Sequence, residues 1–94
     1  MPIGKIRHKG LRKLYEDDDA SGLPAEHVDK LRVILTTLEA ATTIVAVGRF
    51  PGWRVHPLKG KRKGQWAITV TGNWRIVFER KAEEFHILDF EDYH

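Results

Sequence analysis

Cysteine is absent from the 94-residue chain, which excludes disulfides and every thiolate metal site. That absence fits a reducing compartment. Long hydrophobic runs are missing as well: nothing approaches the roughly 18–20 apolar residues of a membrane span. The N-terminus is basic but is not followed by the apolar stretch of a secretory signal. Neither repeats nor low-complexity segments occur. The expectation is a soluble, cytoplasmic protein folded as a single domain over residues 1–94. A chain of this size can bury roughly 60–65% of its unfolded surface. Three Trp and four Phe supply enough apolar bulk for a core without covalent staples.

The net charge is only +3, but its distribution is uneven. From Arg49 to Lys63 there are six basic residues (Arg49, Arg54, Lys59, Lys61, Arg62, Lys63) and no acid. Lys5, Arg7, Lys9, Arg12 and Lys13 crowd the first turns, whereas acids collect at Glu16–Asp19 and again at Glu83, Glu84, Asp89, Glu91 and Asp92. Such segregation points to an electropositive face able to hold a polyanion. Solvated turn chemistry would explain Lys61-Arg62-Lys63 equally well.

Hydrophobic periodicity orders the chain. Ile3 and Ile6 in a basic stretch suit a short edge strand. Leu11, Leu14 and Tyr15 fall at helical spacing, and Asp17–Gly22 is turn chemistry. A second helix is predicted from near Pro24, with Glu26 and Asp29 at its positive end and an apolar stripe of Val28, Leu31, Ile34, Leu35 and Leu38. Ala40–Val47 fits a short helix or a strand. After Phe50-Pro51-Gly52 the period becomes two: Trp53/Val55/Pro57, then Trp66/Ile68/Val70, then Trp74/Ile76/Phe78, then the Phe85–Phe90 segment. Turns at Gly72-Asn73 and Lys81–Glu84 make hairpin neighbours. The fold class is α+β: an N-terminal strand and two helices packed on one face of a three- to four-stranded antiparallel twisted sheet.

Alternation also separates faces. If Trp74, Ile76 and Phe78 pack under the helices, Arg75 points away from them, where Glu79 or Asp89 would be an ordinary cross-strand partner. His56 likewise opposes Val55 and Pro57. Two His, a Lys and an Arg on strands and strand ends supply proton donors, proton acceptors and phosphate clamps, the groups that RNA cleavage without a metal requires.

In combination, several segments resemble the HigB-type toxins of bacterial type II toxin–antitoxin pairs, within the RelE-like group. They are His8-Lys9-Gly10-Leu11, Ser21-Gly22-Leu23-Pro24-Ala25, His56-Pro57-Leu58-Lys59-Gly60, Gly64-Gln65-Trp66-Ala67-Ile68, Asn73-Trp74-Arg75-Ile76 and Glu91-Asp92-Tyr93-His94. The resemblance spans nearly the whole chain. It implies a microbial ribonuclease-like fold and ribosome-dependent cleavage of mRNA in the A site. It also implies a helix-turn-helix antitoxin, HigA-like, that neutralises the toxin and represses the shared operon. Thr71 stands where related toxins often place another basic residue.

Carried over residue by residue, the resemblance implies His56 and His94 as the acid–base pair. His94 is favoured as base, with the reverse assignment open. Arg75 would brace charge on the phosphorane oxygens and Lys59 would add a point charge. Asp92 would orient an imidazole or position RNA, and Tyr93 would stack on a base or donate its hydroxyl. Lys9, Arg54, Lys61, Arg62 and Lys63 would hold phosphates of mRNA and of 16S rRNA on the 70S ribosome. A 2′,3′-cyclic phosphate is the expected product, with no cofactor and no metal. The alternative is a non-catalytic RNA- or ribosome-binding module, a decayed toxin held by its antitoxin. Retention of the full set His56, Lys59, Arg75 and His94 argues against decay. A metal site built from His56, Asp92 and His94 lacks any characteristic ligand spacing.

Overall fold

The computed structural model describes residues 1–92. Strand β1 (Ile3–Ile6) is followed by α1 (Lys9–Asp17), by a 3-10 turn (Ala25–His27) running into α2 (Val28–Ala40), and by the short α3 (Ile44–Val47). Then come β2 (His56–Pro57), a 3-10 turn (Gly60–Arg62), β3 (Gln65–Thr71), β4 (Trp74–Lys81) and β5 (Glu84–Asp92). The sheet order is β1-β5-β4-β3-β2. Strands β2 to β5 form the expected antiparallel meander, and β1 adds a fifth strand parallel to β5.

Each helix has a local cause. His8 caps α1, its Nδ1 accepting a hydrogen bond from the Leu11 amide at 3.2 Å, and Asp18 closes the helix in the left-handed region at φ 55°. The α2 stripe of Leu31, Ile34, Leu35 and Leu38 is fully buried against Ile68, Val70, Ile76, Phe78, Phe85 and Ile87. Burying such side chains contributes about 1.5–3 kcal/mol each. Ala40–Val47 resolves as helix at its end: Thr43 caps α3 by accepting from the Ala46 amide at 3.2 Å, and Val47 is buried.

Gly10 explains one of the sequence segments in purely structural terms. A Cβ built there would lie 2.7 Å from the carbonyl oxygen of Gly22. Backbone meets backbone at this point, so α1 and the loop before α2 close only around glycine. Gly10→Ala is expected to lower stability by about 1–3 kcal/mol, read as a fall in urea midpoint at unchanged m-value.

Two departures from regular alternation position the site. Trp53–Pro57 was expected as a continuous strand, but Arg54 takes φ 47°, and only His56 and Pro57 remain in register with β3. The chain still runs beside β3, since the Thr69 amide donates to the Trp53 carbonyl at 2.7 Å. In β5, Phe78 pairs with Ile87 but Val77 pairs with Asp89, so Leu88 is an extra residue, a β-bulge. Phe85 and Ile87 face the helices before it and Phe90 faces them after it. The inward parity thus changes from odd to even.

Candidate functional site

Register alone assembles the face turned away from the helices. His56 pairs with Ala67, Ala67 with Val77 and Val77 with Asp89, so these four share one row across the sheet. The next row contains Thr69, Arg75 and Glu91. Ala67 and Val77 are small and make an apolar floor between longer polar side chains. By strand geometry, the Cα atoms of His56 and Arg75 lie roughly 12 Å apart, a gap that the two side chains can close onto one phosphate.

Arg75 does not pair with Glu79 or Asp89. Its Nε and Nη2 donate to Glu91 Oε2 at 3.0 and 2.8 Å. The bulge is the reason: without Leu88 as an extra residue, Phe90 would stand opposite Arg75. The same carboxylate accepts from Arg62, Nη1 to Oε2 at 3.1 Å and Nη2 to Oε1 at 2.9 Å. Arg62 thereby reaches from the β2–β3 connection to a side chain on β5. Two guanidiniums share one carboxylate. The Arg62 hydrogen bonds hold the Glu91 carboxyl below the ordinary glutamate range; burial opposes this and Arg75 reinforces it. Glu91 in turn raises Arg62 above its usual value.

His56 is exposed, and its Nδ1 lies 2.7 Å from the Arg54 carbonyl oxygen. A carbonyl only accepts, so Nδ1 carries the proton and Nε2 of the neutral ring is left as the acceptor. The positive φ of Arg54 thus has a chemical counterpart: it turns a carbonyl onto the imidazole. Lys59 is exposed at the start of the 3-10 turn, with Lys61, Lys63 and Arg54 exposed around it. Lys9 stands apart, on the first turn of α1 in the helix layer. Asp92 pairs with Trp74 and so falls, by alternation, on the helix side of the strand end. Tyr93 and His94 lie outside the described residues. Among the described residues no group of three or more His, Cys, Asp or Glu could hold a metal ion. Also among them, no helix is long and apolar enough to cross a membrane.

Behind this face the strand ends rest on an aromatic group. Trp74 and Phe90 are 4.8 Å apart, and His27 packs on both at 5.8 and 6.0 Å. His8 meets Phe90 edge-on at 5.7 Å. His8 and His27 are therefore a cap and a core residue, and the His8-Lys9-Gly10-Leu11 segment owes three of its members, His8, Gly10 and Leu11, to capping and packing.

A model of the family described as "RelE-like toxin of type II toxin-antitoxin system HigB" matches residues 4–94. The chain belongs to the HigB family. Endoribonuclease HigB of Proteus vulgaris is 44% identical over 92 residues, covering 98% of this chain and 99% of that protein. Two Helicobacter pylori structures share the fold. A copper-bound mutant toxin superposes with TM-score 0.57 at 18% identity, covering 98% of this chain and 94% of that one. A conserved hypothetical protein solved in solution gives TM-score 0.54 at 19% identity, covering 96% and 92%.

Glu91 was legible in this HigB-family toxin only as part of a terminal segment, yet it organises both arginines. The available signal was the parity change from Ile87 to Phe90, which spells a bulge and brings Glu91 opposite Arg75. Glu91→Gln is expected to cost about 1–3 kcal/mol at neutral pH. Because the folded carboxyl titrates below an unfolded one, its contribution is complete above the ordinary glutamate range, near pH 4.3. It is lost as pH falls through the lowered folded value. Thermal melts should show the gap between the two proteins closing on acidification below about pH 4.

Proposed function

We propose that this HigB-family toxin is a ribosome-dependent endoribonuclease that cuts translated mRNA in the A site without a metal. The observation that carries the reading is the shared face of His56, Arg75 and Arg62, where an imidazole with a free acceptor nitrogen stands across an apolar floor from a doubly held guanidinium. Likeness to an endoribonuclease over nearly the whole length supports it.

In this scheme His56 Nε2 takes the proton of the ribose 2′-hydroxyl. The 2′-oxygen attacks the adjacent phosphorus and the bond from phosphorus to the 5′-oxygen breaks. A proton from His94 neutralises the departing 5′-oxygen, and a 2′,3′-cyclic phosphate remains. The Nδ1 hydrogen bond to Arg54 favours His56 as base, the reverse of the preference drawn from resemblance. Arg75 stabilises the charge growing on the non-bridging oxygens. Glu91 is a positioning residue, fixing the plane of that guanidinium. Lys59 adds point charge, and Arg54, Lys61 and Lys63 hold flanking phosphates of mRNA and 16S rRNA. Lys9, on the helix layer, would touch rRNA rather than the scissile strand. Asp92 and Tyr93 would orient the terminal imidazole and stack on a base. A helix-turn-helix antitoxin would hold the toxin inactive in the cytoplasm.

Primer extension on a translated reporter mRNA, after inducing the protein with its native terminus, tests the reading. Codon-phased cuts that vanish when the start codon is destroyed are expected. Equal cutting of untranslated RNA would remove ribosome dependence. No cuts from folded protein would favour a binding module.

A further inference from the structure

The helix side of the sheet carries an opening of its own, a cleft of about 590 Å³ between α3 and the outer strands. Ile44 and Val45 of α3 line one wall, and Val55 and Trp66 line the other. Trp66 pairs with Pro57 and with the buried Phe78, which places its ring opposite to the His56 face. Arg80, two residues beyond Phe78, lies on the same side, and Arg49 follows α3; both are exposed.

Charge and shape narrow the occupant. No carboxylate is among the described residues that line the cleft. Among the described residues Arg49 has no ion-pair partner, and Arg80 keeps a loose, largely solvated contact to Glu83 at 3.9 Å while its Nε donates to the Ala82 carbonyl at 3.3 Å. Val45 is 70% exposed at the mouth, so the aliphatic wall of the cleft is open to solvent. A partly exposed Trp, aliphatic walls, the unpaired guanidinium of Arg49 and the loosely held one of Arg80 match a flat base flanked by phosphates. An acidic peptide would satisfy the arginines but would leave the indole face without a matching planar partner.

Position links the cleft to the candidate site. Strand β2 is two residues long and lies at the sheet edge, with His56 on one side and Pro57 on the other. Only the width of that edge strand separates the two faces. Resting on the RNA-cleavage reading, we propose that the cleft is a second nucleotide site for the same single-stranded RNA. One base stacks on Trp66, while Arg49 and Arg80 take its flanking phosphates as the strand passes around β2.

The test uses the full chain and a 2′-O-methylated single-stranded RNA of about ten nucleotides, which binds but cannot be cut. At saturation the Trp66 indole N–H resonance should shift along with those of His56. The double variant Arg49→Ala/Arg80→Ala should bind about tenfold more weakly. Its slope of log affinity against log salt should fall by about 1.4, since each lost single-strand phosphate contact removes about 0.7. Because Trp66 packs against the core, the exposed arginine pair keeps the test independent of folding. Movement of His56 without Trp66, or an unchanged salt slope, overturns the second site and leaves the cleavage reading standing. Movement of neither residue overturns the second site; the cleavage reading, which needs the ribosome, stands or falls on the primer-extension result. An acidic peptide that shifts Trp66 where RNA does not would reassign the cleft to a protein partner.

Discussion

Arg75→Ala is expected to lower cleavage of translated mRNA by about 10²–10³-fold, the usual cost of removing one preorganised donor from a developing oxyanion. The expectation follows from how the side chain is held. The side chain is 15% exposed, and its guanidinium bonds through both Nε and Nη2 to one oxygen of Glu91. Glu91 is itself gripped by Arg62. The plane is therefore set before RNA arrives, and no reorganisation is needed as charge accumulates on the phosphorane. Lysine cannot reproduce a planar fork, so Arg75→Lys should lose nearly as much. Glu91→Gln keeps Arg75 but loosens its plane and should cost about tenfold, less than removing the donor. Stability must be read in parallel, because Arg75→Ala leaves Glu91 with Arg62 alone, at a cost of about 1–2 kcal/mol. A folded Arg75→Ala protein that cleaves within threefold of the parent would remove Arg75 from the chemistry.

The contrast between Arg75 and Glu91 shows what a one-dimensional reading can and cannot reach. Helix α2 and strands β3 and β4 were legible because their apolar residues repeat at 3.6 or 2, the β3–β4 register slipping only beyond Thr69. The side of Arg75 followed from that same alternation. Its partner did not, because a partner is fixed by pairing register, and one bulge residue at Leu88 shifts every pair beyond it. Similarly, β1 was expected as a strand, but its parallel docking on β5 joins residues some eighty positions apart and leaves no local signature. His56 was chosen by resemblance; the carbonyl that orients it appears only once Arg54 turns into the left-handed region. The polyanion-binding expectation from segregated charge was too coarse in a specific way. Arg62, one of that basic run, bonds through its guanidinium to Glu91, while Arg49 of the same run and Arg80 outside it border the cleft.

His56→Ala is expected to lower cleavage by about 10²–10⁴-fold, the range for a lost general acid or base, with little change in folding because the side chain is exposed. Loss alone does not separate base from acid, but the leaving group does. In an A-site codon whose bridging 5′-oxygen is replaced by sulfur, the departing thiolate needs no proton. The 2′-hydroxyl must still surrender its own. If His56 Nε2 is the base, as the Nδ1 hydrogen bond to Arg54 favours, the sulfur substrate should leave His56→Ala slow and should restore most of the activity lost in His94→Ala. The opposite pattern would assign the base to His94 and make the imidazole beside Arg54 the proton donor. The double substitution sharpens the comparison: on the sulfur substrate it should be no slower than His56→Ala alone, because the second imidazole no longer has a proton to deliver. A further loss in the double variant would mean that His94 also positions RNA, and that part of its effect is binding rather than proton transfer.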